Sequence, residues 1–122
     1  MKVFRNIPKF EDYRGVISRL LPDDVLIRDV FVITSKKGSE RAGHYHKKDS
    51  HYCYLIKGSM LYMERGLEKG AKTKAIFMKE GAMVYTPPKH KHWMRFSSDS
   101  IFVAMATRPR NQKDYEKDTV RI

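Results

Sequence analysis

The strongest constraint on the fold is a rhythm of short β-branched and aromatic runs separated by turn residues. Leu26–Thr34, His51–Lys57, Ser59–Arg65, Thr73–Lys79, Ala82–Thr86, Lys91–Phe96 and Ile101–Thr107 each have strand length. Gly58, Gly66, Gly70, Gly81 and Pro87–Pro88 punctuate them, as residues that reverse or redirect a chain do. Long amphipathic helical patterns, internal repeats and low-complexity stretches are absent from the sequence. The pattern predicts about seven strands between residues 26 and 107, closed into an all-β sandwich or barrel. The runs on either side of Gly58 read as a hairpin. Residues 7–24 are less regular and are expected to cover an edge or pair with a neighbour. The polar stretch 108–122 reads as a short helix or a disordered end.

At 122 residues the chain is one domain, 1–122, large enough for a single core without staples. One cysteine, Cys53, excludes an internal disulfide framework and reads as a buried, inert thiol. No apolar run reaches membrane-helix length, and Met1–Arg5 lacks the apolar stretch of a signal peptide, so the cytoplasm is the expected compartment. The 25 basic and 14 acidic residues leave a net charge of +11. The basic residues are dispersed, without a dense basic helix or nucleic-acid motif. An anionic small molecule fits this charge better than nucleic acid does.

All five histidines fall in two short windows, 41–58 and 81–96. His44 and His46 are two apart and share a strand face; His51, Cys53 and Leu55 share another. His92, Met94 and Phe96 lie on one face, opposite Lys91, Trp93 and Arg95. A sandwich with these sets inward brings His44, His46, His51 and His92 together. Converging imidazoles suit a divalent transition metal (Zn, Fe, Ni, Cu or Mn), and they also suit acid–base chemistry near neutrality. His90 shares the parity of His92 and reads as a loop residue or a proton shuttle at the cavity mouth. Met60, Met63, Met83, Met94 and Met105 would give an adaptable apolar lining. Trp93 and Phe96 would line a substrate pocket or fill the core.

At these residues the sequence resembles the cupins. Gly38, five residues, His44-Tyr45-His46, four residues, His51, six residues and Gly58 follow the spacing of the first cupin motif, with His51 in the place of its glutamate. Gly81, five residues, Pro87-Pro88-Lys89, two residues, His92, three residues and Phe96 follow the second. There Lys89 stands for a glycine and Phe96 for an asparagine. The resemblance implies a single-domain jelly roll, commonly a homodimer, to which the outward Tyr52 and Tyr54 would contribute a buried face. In metal-bound cupins the matching positions ligate, which implies His44, His46, His51 and His92 as ligands.

Residues 7–15, 33–48 and 99–118 are also similar to the dTDP-4-dehydrorhamnose 3,5-epimerases and the dTDP-4-keto-6-deoxyhexose 3,4-ketoisomerases of surface-polysaccharide synthesis. Those relatives generally work without a metal, using a histidine of the His-x-His region as base. The resemblance then implies His44 or His46 as base. A proton donor would come from Tyr45, Tyr54, Tyr62 or Tyr85, with Tyr54 taken as the candidate, or from a metal. Diphosphate contacts would come from Arg41, Arg14, Lys47 and Arg95, with Trp93 beside the substrate. Two other classes remain open at this point: a metal-dependent cupin such as an oxygenase or non-nucleotide sugar isomerase, and a non-catalytic ligand-binding cupin.

Overall fold

The inward–outward alternation of the runs becomes two packed five-stranded sheets in a computed structural model that describes residues 2–109 and 111–122. Met1 and Arg110 lie outside the described residues, so the readings of the N-terminus and the tail are judged without them. The strands are β1 (Lys2–Phe4), β2 (Lys9–Asp12), β3 (Gly15–Ser18), β4 (Asp29–Ser35), β5 (Glu40–His46) and β6 (His51–Lys57). They continue as β7 (Ser59–Gly66), β8 (Lys74–Lys79), β9 (Met83–Thr86), β10 (His90–Phe96) and β11 (Ser100–Ala106). One helix, α1 (Gln112–Asp118), leads directly into β12 (Thr119–Arg121). The first sheet has the order β1-β9-β6-β11-β4 and the second β12-β5-β10-β7-β8. All paired strands are antiparallel. This is the expected all-β cupin jelly roll. All seven expected strands are present, with ends shifted by up to three residues.

The hairpin reading around Gly58 is corrected. β6 pairs with β9 and β11 in the first sheet, whereas β7 pairs with β10 and β8 in the second. Gly58, at φ +95°, is the corner where the chain passes from one sheet to the other. A single linking residue is too short for a two-residue hairpin turn, so the strands separate.

Leu55, Met60, Tyr62, Met78, Phe96 and Phe102 fill the space between the sheets. The rings of Phe96 and Phe102 stack at 5.7 Å. A second apolar cluster lies on the outer face of the first sheet, where Tyr52, Met83 and Met105 meet Leu20, Leu21, Val25 and Ile27. The N-terminal segment therefore covers a sheet face, which removes apolar area from water at roughly 25 cal/mol per Å². Its β2–β3 hairpin stands clear of this cover, with Phe10, Tyr13 and Ile17 exposed. Among the described residues no helix is long and apolar enough to cross a membrane.

A Cβ on Gly58 would lie 2.6 Å from the Asp99 carbonyl and 2.8 Å from Ser100 Cα, whereas one on Gly70, also at positive φ, meets nothing within 4 Å. Gly70→Ala is expected to cost about 1 kcal/mol of left-handed strain. Gly58→Ala should cost at least about 2 kcal/mol more, because backbone must move. Denaturant melts of the two variants read the difference; equal losses would show that the sheet-to-sheet corner is not tightly packed.

Candidate active site

Five strands, β4, β5, β6, β10 and β11, and the C-terminal tail build one cavity. On β5 the chain carries a bulge: Ala42 and Gly43 both have positive φ, 69° and 74°, and the register against β10 shifts there. His44 lies opposite His92 and Arg41 opposite Met94. Residues 41 and 44 would point to opposite faces of a regular strand; the extra residue puts both on the inner face. From β6 and β10 come His51, Cys53, His92 and Met94. With Ile33, Phe102, Ala104 and Tyr115 they line a cavity of about 150 Å³.

The rings form a chain of contacts. His44 is 4.6 Å from His46 and 4.7 Å from His92 between centroids, and His46 is 4.7 Å from His51. His46, His51 and His92 are buried. Each ring has a distinct polar anchor. His46 Nδ1 meets the Thr119 hydroxyl at 3.2 Å, with the Asp118 carboxylate 3.8 Å away, and its buried Nε2 has no hydrogen-bond partner among the described residues. His92 Nδ1 donates to the His90 carbonyl at 3.2 Å, which leaves its Nε2 as the basic nitrogen. His51 Nε2 meets Asp49 Oδ2 at 2.9 Å.

Burial, then the neighbouring His51, His44 and His92 rings, pushes the His46 pKa down to about 2. Burial, then His44, pushes His92 down to about 3. Both imidazoles are therefore neutral bases at physiological pH. Burial of Asp49 favours its acid form, but the His51 hydrogen bond and charge outweigh it and hold the carboxyl below its ordinary range.

The tail closes this site. Asn111 caps α1 by accepting from the Asp114 N–H. β12 then pairs with β5 so that Thr119 faces His46. Asp118 accepts from the Lys48 and Asp49 N–H groups at 2.9 and 3.1 Å. Tyr115 stands over the histidines, 5.7 Å from His46 and 6.4 Å from His44. The tail is thus a helix and a strand, the first alternative of the sequence reading extended by β12.

The tyrosine expected as proton donor lies elsewhere. Tyr54 packs in the outer cluster with Tyr52 and Tyr85. Tyr62 is sealed in the core with its hydroxyl on Thr86 at 2.5 Å, and burial raises its pKa. Tyr45 sits on β5 at the non-cavity parity, opposite Val120. The cavity tyrosine is Tyr115, which the sequence reading did not single out. Trp93 and Arg95 lie on the opposite face of β10 from His92; Arg95 bonds Glu40 at 2.9 Å and Trp93 packs beside Gly43. Lys47 lines an adjacent cavity on the other side of Tyr115, where Lys48, Arg108 and Lys117 alternate with Asp49, Asp114 and Asp118. Arg14 is held by Asp12 in the β2–β3 turn. Of the expected anion contacts, Arg41 alone among these four lines the histidine cavity, tied to Ser35 Oγ at 2.6 Å and the Thr34 carbonyl at 2.8 Å.

The histidines also fit a metal. Among the described residues, one nitrogen from each of His44, His46 and His92 lies within 4.8 Å of the others. The orphaned Nε2 of His46 and three converging imidazole donors suit a first-row divalent ion with an open position. His51 stands outside this group, on Asp49.

The buried imidazoles lie inside a small all-β jelly roll of the cupin type. The sequence from residue 2 to residue 121 matches the family described as FdtA: WxcM-like, C-terminal, and the chain belongs to it. No curated protein matches it. Similar folds include the 3,4-ketoisomerase from Helicobacter canadensis (20% identity, TM-score 0.82, 99% of this chain and 90% of that one). They also include a TDP-bound double mutant of the 3,4-ketoisomerase from Thermoanaerobacterium thermosaccharolyticum (20%, 0.79, 99% and 86%). The dTDP-4-dehydrorhamnose 3,5-epimerase from Sulfolobus tokodaii is similar at 18% identity and TM-score 0.75, over 93% of this chain and 72% of that one.

The depressed pKa values set a direction for acid stability. Unfolded histidine takes up a proton near pH 6.5, whereas folded His46 and His92 do so only near 2 and 3. Their contribution is therefore full above pH 6.5 and is lost as pH falls towards the folded values. Each should remove about 2 kcal/mol between pH 7 and pH 5. Denaturant unfolding with EDTA present checks this; His46→Gln should flatten the dependence by about half, and an unchanged slope would contradict the buried neutral state.

Proposed function

We propose that the protein is a 3,4-ketoisomerase acting on a nucleotide-linked 4-keto-6-deoxyhexose. The observation that carries this reading is the cavity itself, where His44 and Tyr115 face a space edged by Arg41. The chain spans nearly the whole of the ketoisomerase folds but only 66–72% of the epimerase ones, which favours ketoisomerisation over the epimerase alternative. The ketoisomerase from Thermoanaerobacterium thermosaccharolyticum is bound to TDP-4-keto-6-deoxyglucose in a histidine-to-asparagine mutant.

In this reading the hexose enters the cavity. His44 removes the proton from the carbon beside the ketone, and the neutral rings of His46 and His92 keep positive charge from accumulating around it. The Tyr115 hydroxyl donates a hydrogen bond to the enolate oxygen. Arg41, rigid through Ser35 and Thr34, takes the diphosphate. The enzyme works in the cytoplasm, in surface-polysaccharide synthesis, as a homodimer. The exposed Val30 and Val32 of edge strand β4 and the nearby Ile56 give a second copy an apolar face.

Proton NMR of the product formed from TDP-4-keto-6-deoxyglucose tests the activity. Wild type is expected to make the 3-keto isomer. His44→Asn should lose at least about 10³-fold and Tyr115→Phe about 10²-fold, within the usual range for acid–base groups. Absence of product, with TDP unbound, would overturn the reading.

A second reading is supported by the unpartnered Nε2 of His46: His44, His46 and His92 hold a divalent transition metal, as they would in a metal-dependent cupin. A bound metal would supply a Lewis acid beside the ketone. Elemental analysis of tag-free protein is expected to find about one equivalent of zinc, iron, nickel, copper or manganese, lost in His46→Ala. Protein that neither carries nor takes up these ions leaves the histidines as bases alone.

A further inference from the structure

Shifting a ketone from C4 to C3 moves two protons, one between carbons and one between oxygens. The carbon-bound proton at C3 must reach C4, and the hydroxyl proton on O3 must reach O4. One base at the carbon accounts for half of this traffic. The cavity holds a further buried histidine, His51, outside the His44–His46–His92 group, and it has a built-in partner.

His51 and Asp49 are both buried, with side-chain exposures of 8% and 5%. They form the shortest histidine–carboxylate contact among the described residues, 2.9 Å against 3.8 Å for His46 and Asp118. An ionised carboxylate only accepts, so the contacting Nε2 must carry the hydrogen. In the neutral ring Nδ1 is then an unprotonated acceptor. Asp49 is itself fixed: Oδ1 receives the Arg108 N–H at 3.2 Å and the Thr107 hydroxyl at 3.3 Å. Its own N–H donates to Asp118 at 3.1 Å. The carboxylate therefore cannot swing away from the ring. His51 in turn lines the same cavity as His44 and Tyr115. A base oriented by a clamped carboxylate is the arrangement that activates hydroxyl groups in acyl-transfer enzymes.

We infer that the Asp49–His51 pair is a second catalytic base of this site, which carries the hydroxyl proton from O3 to O4 while His44 carries the carbon proton from C3 to C4. The inference rests on the ketoisomerase reading. His44 takes the C3 proton, and the C–H electrons form the C3=C4 enediolate. His51 takes the O3 proton as the C3 carbonyl forms. The π electrons then take the proton from His44 at C4, and O4 takes the proton from His51. Both bases return to their starting states, and no oxidant or reductant is needed.

The test follows TDP-4-keto-6-deoxyglucose in D2O by NMR. In His51→Asn, exchange of the C3 hydrogen for deuterium should persist within about threefold of wild type, because His44 still forms the enediolate. Formation of the 3-keto product should fall at least about 100-fold. His44→Asn should lose exchange and product together. Exchange and product falling equally in His51→Asn, or neither falling, would overturn the inference. Asp49→Asn adds a readout independent of turnover. Side-chain 15N NMR should show His51 protonated at Nε2 in wild type and the tautomer redistributed in Asp49→Asn. A wild-type His51 unprotonated at Nε2 would overturn the pair. Wild type that neither exchanges nor isomerises the sugar, with Nε2 protonated, would fail the ketoisomerase reading and with it this role for His51.

Discussion

The arrangement of the site depends on one irregularity in a β-ladder, the bulge at Ala42–Gly43. A regular strand would place Arg41 and His44 on opposite faces of the second sheet. Two residues of positive φ absorb the extra step, so that a cation at the rim and an imidazole inside serve the same cavity. Gly43 suits this conformation, while Ala42 adopts it at a cost of order 1 kcal/mol. Next to the bulge the His44–His92 pairing is kept, and the inward alternation of β10 then sets Met94 and Phe96 beneath the histidines as an apolar floor.

The second requirement is closure from the C-terminus. β12 completes the sheet beside β5, and that pairing carries Thr119 to His46, Asp118 to the backbone of residues 48 and 49, and Tyr115 to the cavity mouth. The same closure buries Asp49 and Ser50 in the interval between β5 and β6. There Asp49, in a polar, turn-like interval, becomes the anchor of His51. Two kinds of imidazole result. His46 and His92 are kept neutral by burial and crowding, and His51 is oriented by a carboxylate.

Much of this was legible in the sequence, because strand alternation and histidine parity are local properties. His92, Met94 and Phe96 face inward, and Lys91, Trp93 and Arg95 do not, as their spacing required. That same parity already placed Trp93 and Arg95 away from the histidines. Their expected role beside the substrate came from residue chemistry and gave that geometry too little weight. The hairpin at Gly58 was misread because two adjacent strands with one linking residue look alike whether they pair or part. Tyr54, expected as the proton donor, lies away from the cavity because its face is opposite that of Cys53 and Leu55. Tyr115 was missed because its role depends on a long-range pairing, β12 with β5, that no local pattern announces. The signal available was the Asn111 cap ahead of a charged, helix-compatible stretch.

In the proposed function one cavity, edged by Arg41 and lined by the histidines, receives a nucleotide-linked sugar. A crystal structure of the protein with bound TDP tests it most directly. The account places the diphosphate on Arg41, with its free end directed at His44 and Tyr115. TDP seated instead in the adjacent cavity of Lys47, Lys48, Arg108 and Lys117, with the histidine cavity empty, would contradict it.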